Sequence, residues 1–271
     1  MDLGFGGEVT DFYHRYRRGY PPAVIEHLMS AFELNDQDVV LDLGCGTGQL
    51  TLPLARRVRT TIGMDPEPDM LTRARVAARE QGVANTTWLL GGDSDLPSLE
   101  GLLGPGTLGA VTIAQALHWM DHDALFGGLA PLLRPGGGIA VVTNGRPLWL
   151  QDTGWSMALR DMLSRWLGTV VSRQCGTDEV SQRRYKESLT RAGFAVRTAS
   201  VDYTGELALE HIVGGVYSAL PRNRLPSPEQ RPAFAELIRE AVEPHRPFAE
   251  EVRVRLILAT AGPQSLAGAP V

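Results

Sequence analysis

Apolar and polar positions follow two rhythms along the first half of this chain. Short apolar runs stand at VVLDL (39–43), TTIGM (60–64), TTWLL (86–90), LGAVTIA (108–114) and GIAVVT (138–143). Between them, residues 49–58, 67–81 and 121–133 read as helices. Strands that alternate with helices predict βαβ units and a parallel sheet. LRPGGG at 133–138 reads as a loop entering the fifth strand. After Thr143 the rhythm changes. Residues 156–167, 179–192, 207–219 and 228–243 predict helices, while AVRTASVDY (195–203) and EVRVRLILA (251–259) alternate like strands. The last of these is expected at a sheet edge with one face partly exposed.

No internal repeat interrupts this pattern, and its Pro/Gly clusters are too short to be linkers. One domain over 1–271 is therefore expected. It would have a lead-in at 1–20, a ligand-binding core at 38–143, cap helices with a late strand at 144–250, and a last strand at 251–260.

The first strand runs into the most informative stretch, VVLDLGCGTGQLT. Asp42 ends the strand, and Gly44, Gly46 and Gly48 follow before the next helix. Glycine serves where the backbone needs positive φ or where a partner approaches the main chain, so a ligand is expected over this turn, against the helix N-terminus. The spacing is G-x-G-x-G. A dinucleotide fingerprint G-x-G-x-x-G would need glycine where Gln49 stands. A carboxylate at Asp42 also suits an ammonium or sulfonium better than a pyrophosphate. Asp65, after the second strand, can accept both hydroxyls of a ribose, although a capping Asp before Pro66 would give the same sequence. Asp93 and Ser94 end the third strand, where they could meet an adenine amine or simply form a turn.

Composition narrows the partners. Formal net charge is −5, and no basic stretch resembles a nucleic-acid footprint. Lys186 is the only lysine. Cys45 and Cys175 lie far apart without metal spacing, which points to a reducing, cytoplasmic setting. The N-terminus lacks signal-peptide features, and no window reaches the roughly 20 apolar residues of a membrane span. The expected partner is a small molecule, with neither nucleic acid nor membrane; oligomeric state is not legible.

DLGCGTG, followed in order by GMDPEPDML, GGDSDL, VTIAQALHWMD and LLRPGGGIAVVT, resembles the class I S-adenosylmethionine-dependent methyltransferases. The closest flavour is the type-11 group, which includes trans-aconitate and quinone-biosynthesis methyltransferases. The resemblance implies an α/β, doubly wound, mostly parallel seven-stranded Rossmann-like sheet with an antiparallel last strand and helical insertions forming a substrate cap. It also implies S-adenosyl-L-methionine as cofactor. Carried over residue by residue, Asp42, Gly44, Cys45 and Gly46 would face its methionyl part, and Asp65 with Pro66 its ribose. Met64 and Met70 would pack on the adenine, Asp93 and Ser94 would meet the adenine amine, and Gln115 would stand where the fourth strand passes the cofactor. The lead-in YHRYRRGYP would bring Tyr13 and Arg17 to the cofactor carboxylate. The family usually has Arg-Pro there, whereas this chain has Arg17-Arg18. Read without the family, the same lead-in could be a surface helix.

Methyl transfer from a sulfonium is an in-line displacement, and orientation alone can supply about 7–11 kcal/mol of its catalysis. A base is needed only where the acceptor must lose a proton early. His118, just past the fourth strand, is the candidate base, with Tyr13 orienting the acceptor. A structural His118–Trp119 pair is the alternative. Asp121-His122-Asp123 opens a helix, where carboxylates serve the dipole, so no metal site is expected. The N-terminal segment and two insertions, 146–175 (Trp149, Trp155, Trp166) and 203–220 (Tyr203, His211, Tyr217), would wall the acceptor site, though each aromatic could equally be core. Two rival functions remain: a nicotinamide oxidoreductase, and a cofactor-binding regulatory or assembly protein without turnover.

Overall fold

A computed structural model describes residues 4–172 and 175–261. Seven strands form one sheet: β1 (Val39–Leu43), β2 (Thr60–Asp65), β3 (Thr86–Leu90), β4 (Leu108–Ala114), β5 (Leu133–Asn144), β6 (Phe194–Glu206) and β7 (Ala249–Ala261). Their order is β3-β2-β1-β4-β5-β7-β6. β7 is antiparallel to both its neighbours, and the other six strands run in one direction. All five positions of β1 are buried, as a strand covered on both faces requires.

Helices cover both faces. α1 (Glu8–Tyr16), α2 (Pro22–Ala31), α3 (Thr51–Ala55), α4 (Pro68–Glu80), α5 (Leu96–Leu103), α6 (His122–Leu129) and α8 (Glu179–Arg191) accompany the sheet. Val24, Ile25 and Leu28 of α2 pack with Val40, Ala140 and Leu256 on one face. Leu99, Phe126 and Leu189 of α5, α6 and α8 pack with Leu41, Ile113 and Ile257 on the other. α7 (Gly154–Leu167), α9 (Leu209–Tyr217) and α10 (Arg231–Val242) have a core of their own, built around Trp155, Leu159, Ile212, Val216, Phe234, Ile238 and Phe248. This is the cap.

Three differences from the sequence reading have physical reasons. The edge strand is β6, not the last strand: β7 lies between β5 and β6, and its run LILA at 256–259 is buried on both faces. The RPGGG segment is not a loop ahead of β5 but an irregularity within it. Leu133 pairs Leu108 and Gly138 pairs Ala110, so the intervening residues bulge out between two paired positions. Gly138 itself is required, since a Cβ there would overlap the Ala259 carbonyl. The helix after the glycine turn is also shorter than expected, a five-residue α3 beginning only at Thr51.

β1 and β4 are neighbours, yet their connections leave to opposite sides of the sheet. That reversal of strand order opens a crevice beyond the carboxyl ends of β1 and β4, the usual ligand position in such sheets.

Candidate active site

A cavity of about 600 Å³ fills this crevice, roofed by α1, α9 and the turn after β5. Gly44 and Gly46 take φ of 72° and 54°, a left-handed backbone that favours glycine. A Cβ on Gly44 would overlap that of Ala116, so β1 and β4 can approach only through this glycine. The amides of Gly44 and Cys45 donate to Met64 O at 2.8 and 3.1 Å, and that of Gly46 to Asp65 Oδ2 at 2.8 Å. These donors are turned into the protein, so the turn does not offer the amide cradle that a pyrophosphate needs. The ligand expected against the helix N-terminus must instead be held by side chains.

Two of those side chains are buried carboxylates. Asp42 accepts the hydroxyls of Thr51 at 2.6 Å and Thr112 at 2.8 Å. Burial raises its pKa, while the two hydroxyls pull it down. Asp65 accepts the amides of Gly46 and Glu67, the latter at 2.9 Å. Burial raises its pKa as well; the two amides oppose that, and the Asp42 charge adds to it. Among the described residues neither carboxylate has an ion-pair partner. At the other end, Arg17 lies 5.1 Å from the Tyr13 ring centroid and donates to Ser218 O at 3.3 Å. Its Nε is buried without a partner. Tyr13 has its phenol pKa raised by burial, against the pull of Arg17, which makes it a poorer base still.

The cavity brings together Tyr13, Arg17, Asp42, Gly44, Cys45 and Gly46 with Asp65, Pro66 and Met70. Asp93, Ser94, Gln115 and His118 line it too. Met64 does not: it is 3% exposed and turns into the sheet core. Gln115 holds φ of 57°, donates its amide to Val142 O at 2.9 Å, and leaves Oε1 buried without a partner. A non-glycine residue in that region at a strand end is a recurrent mark of a functional site.

Of the aromatic residues expected in the acceptor wall, Trp149 and His211 reach the cavity. Trp155 is core, with Nε1 donating to Ala249 O at 2.8 Å. Tyr217 donates to Arg231 O at 3.2 Å, Trp166 packs on Phe234 at 4.5 Å, and Tyr203 sits along β6. Residues 173–174 of that stretch lie outside the described residues. Asp121 caps α6 through Ala124 N, while Asp123 binds Ser188 and Arg191, so both acids have structural work. Sequence reading missed Phe5, Arg18, Tyr20 and Asn144 as lining residues. Phe5 meets Tyr13 and Trp119 edge-on at 6.0 and 6.1 Å, a contact between segments far apart in sequence that no local pattern announces.

Residues 40–137 match the family described as a methyltransferase domain. An uncharacterized methyltransferase of Mycobacterium tuberculosis is 36% identical over 165 residues, which is 61% of this chain and 60% of that protein. The chain thus spans about three fifths of the curated relative's length. A 23S rRNA (uracil-C5) methyltransferase of Stenotrophomonas maltophilia is 35% identical over 108 residues, 35% of this chain but 23% of that protein. Among solved structures, a protein provisionally named a type II methyltransferase from Anaeromyxobacter dehalogenans superposes with a TM-score of 0.56 at 21% identity, covering 91% of this chain and 97% of that one. The YcgJ protein of Bacillus subtilis gives 0.54 at 16% identity, covering 88% and 98%. These two share the fold. Residues 40–137 are thus similar to a methyltransferase domain, and the relative of 36% identity is named a methyltransferase as well.

Proposed function

We propose that the chain transfers a methyl group from S-adenosylmethionine to a small organic acceptor held under the cap. One observation carries this reading. A single cavity joins two buried carboxylates without ion-pair partners, Asp42 and Asp65, to a guanidinium with a buried, unpartnered Nε. That arrangement fits a zwitterion that is cationic at the Asp42 end, carries ribose hydroxyls and ends in a carboxylate. The cofactor supplies an electrophilic methyl on a sulfonium; the chain supplies everything else. Asp65 with Pro66 would hold the ribose, Arg17 and Tyr13 the carboxylate, Met70 the adenine face, and Asp93 with Ser94 the adenine amine.

The chain's own task is alignment and exclusion of water. Phe5 and Tyr13 close the cavity from the lead-in side, and Leu148, Trp149 and Leu207 from the cap. His118 is placed on the cavity wall beyond β4, where an imidazole can take a proton from an acceptor hydroxyl near neutral pH. Roofing by α1 and α9 supports a small acceptor, as does the net charge of −5. The ribosomal-RNA methyltransferase is matched over under a quarter of its length. No described helix is long and apolar enough to cross a membrane.

The test is incubation of the full chain with methyl-labelled S-adenosylmethionine and a panel of aromatic and aliphatic hydroxy compounds, amines and purified RNA. Label recovered on a small molecule supports the reading, whereas label recovered on RNA alone overturns it. Normal cofactor affinity with no labelled product across the panel would favour a cofactor-binding protein without turnover.

A further inference from the structure

The cavity is lined by both signs of charge. Its lining carboxylates, Asp42, Asp65, Glu67, Asp93 and Asp95, stand at the ends of β1 and β2 and on the turns after β2 and β3. Its lining guanidiniums, Arg17, Arg18 and Arg146, stand on the lead-in and the turn after β5. Arg17 answers the cofactor in the reading above, which leaves Arg18 as a basic group for the acceptor.

Arg18 is held there from three sides. Its Nε donates to Glu250 Oε1 at 3.3 Å and its Nη2 to Oε2, so the fork is pinned on a carboxylate that is 6% exposed on β7. Gly145, at φ of 73°, leaves open the space beside Nη1, since a Cβ there would stand 3.7 Å from that atom. Asn144, 5% exposed, donates Nδ2 to Gly19 O at 2.9 Å and so fixes the backbone next to Arg18. Two donors of the guanidinium are thus spent on Glu250, and Nη1 donates to nothing among the described residues. Asn144 Oδ1 is buried without a partner. A surface arginine needs none of this construction.

We propose that Arg18 and Asn144 are specificity-determining residues that read an oxygen-rich acceptor. The acceptor presents a carboxylate or comparable anionic oxygen to Arg18 Nη1 and an O–H to Asn144 Oδ1, around an aromatic or apolar body seated against Tyr20, Leu148 and Trp149. The anionic oxygen is an anchor rather than the methylated atom. An acceptor with an ammonium here is disfavoured, because its charge would meet a guanidinium whose carboxylate partner, Glu250, is already engaged through Nε and Nη2. This inference rests on the methyltransferase reading and specifies its substrate class.

Calorimetry on the full chain saturated with S-adenosylhomocysteine tests it with three matched probes, 4-hydroxyphenylacetate, its neutral amide and tyramine. The acid should bind best and tyramine roughly ten- to hundred-fold more weakly. In the double variant Arg18→Leu/Glu250→Leu, which removes both members of the buried pair and strands neither charge, that order should collapse while S-adenosylhomocysteine affinity stays within roughly two-fold. Arg18→Lys keeps the partner of Glu250, and hence the fold, but loses the fork; it should shrink the discrimination to roughly a few-fold. Tyramine binding as well as the acid overturns the proposal. So does an unchanged order in the double variant, an equal weakening of all three probes, or binding of none of them to the loaded protein. Failure of S-adenosylhomocysteine itself to bind would overturn the reading beneath it, and this inference with it.

Discussion

Asp42 and Asp65 are each caught between burial, which favours the neutral acid, and hydrogen-bond donors that favour the carboxylate. In both, burial is the larger effect and the pKa is raised. A raised carboxyl contributes stability that is present below the ordinary value of 3.8 and lost as pH rises through the folded value. At neutral pH both ionised groups therefore burden the apoprotein, and a cationic ligand relieves them. Asp42→Asn, nearly isosteric and still able to bond Thr51 and Thr112, should raise the melting temperature of the apoprotein at pH 7 and weaken S-adenosylhomocysteine. A lower melting temperature with unchanged affinity would count against this electrostatic role. In the wild type, affinity for S-adenosylhomocysteine should decline on acidification beginning above pH 3.8, since these two groups take up protons earlier than an exposed aspartate. His118 carries the other residue-scale prediction. His118→Ala should lower turnover by roughly 10²–10⁴-fold with cofactor affinity nearly intact. His118→Gln keeps a hydrogen bond without proton transfer, so near-normal turnover in that variant would make His118 a positioning residue only.

Among the elements, the glycine turn and the lead-in helix both border the cavity. The turn is tight, and Gly44→Ala would combine a strained φ with overlap on Ala116. It should destabilise by about 1–3 kcal/mol in urea denaturation and abolish cofactor binding. α1 buries Val9 and packs Phe12 on Tyr217 of the cap, and adds the pairs Glu8 with Arg231 and Arg15 with Glu210, each worth about 0–1 kcal/mol. Lying over the cavity, it is the element expected to order further when a ligand binds. Hydrogen exchange across residues 8–20 should slow when S-adenosylhomocysteine is added, and deletion of 1–20 should abolish turnover; equal protection with and without ligand rejects the lid. α1 also shows where sequence reading reaches its limit. VVLDLGCGTG was legible because a buried strand, a carboxylate and spaced glycines are all local signals. The close seat of Tyr16 on Gly214, where a Cβ would overlap the ring, joins residues about three quarters of the chain apart. α5 was missed because Leu96–Leu103 has a proline at its start and a glycine within it, both of which read as loop. The exchange of β6 and β7 in the sheet was partly visible: the uninterrupted LILA signals an interior strand, but the charged alternation ahead of it drew the opposite reading.

At the scale of the molecule, the sheet supplies one crevice, the glycine turn shapes its floor, the lead-in and the turn after β5 bring arginines to it, and the cap helps to roof it. The residues proposed for the cofactor were legible because they come in order along one βαβ run. Those proposed for the acceptor were not, because Arg18, Asn144 and Glu250 converge from three distant segments. The claim on which the whole account depends is that this cavity is an S-adenosylmethionine site in which Asp65 holds the ribose. Calorimetric titration of the wild type and of Asp65→Ala with S-adenosylhomocysteine tests it most directly. The wild type should bind at micromolar concentration and the variant should not; absence of binding by the wild type, or equal binding by both proteins, would overturn the assignment.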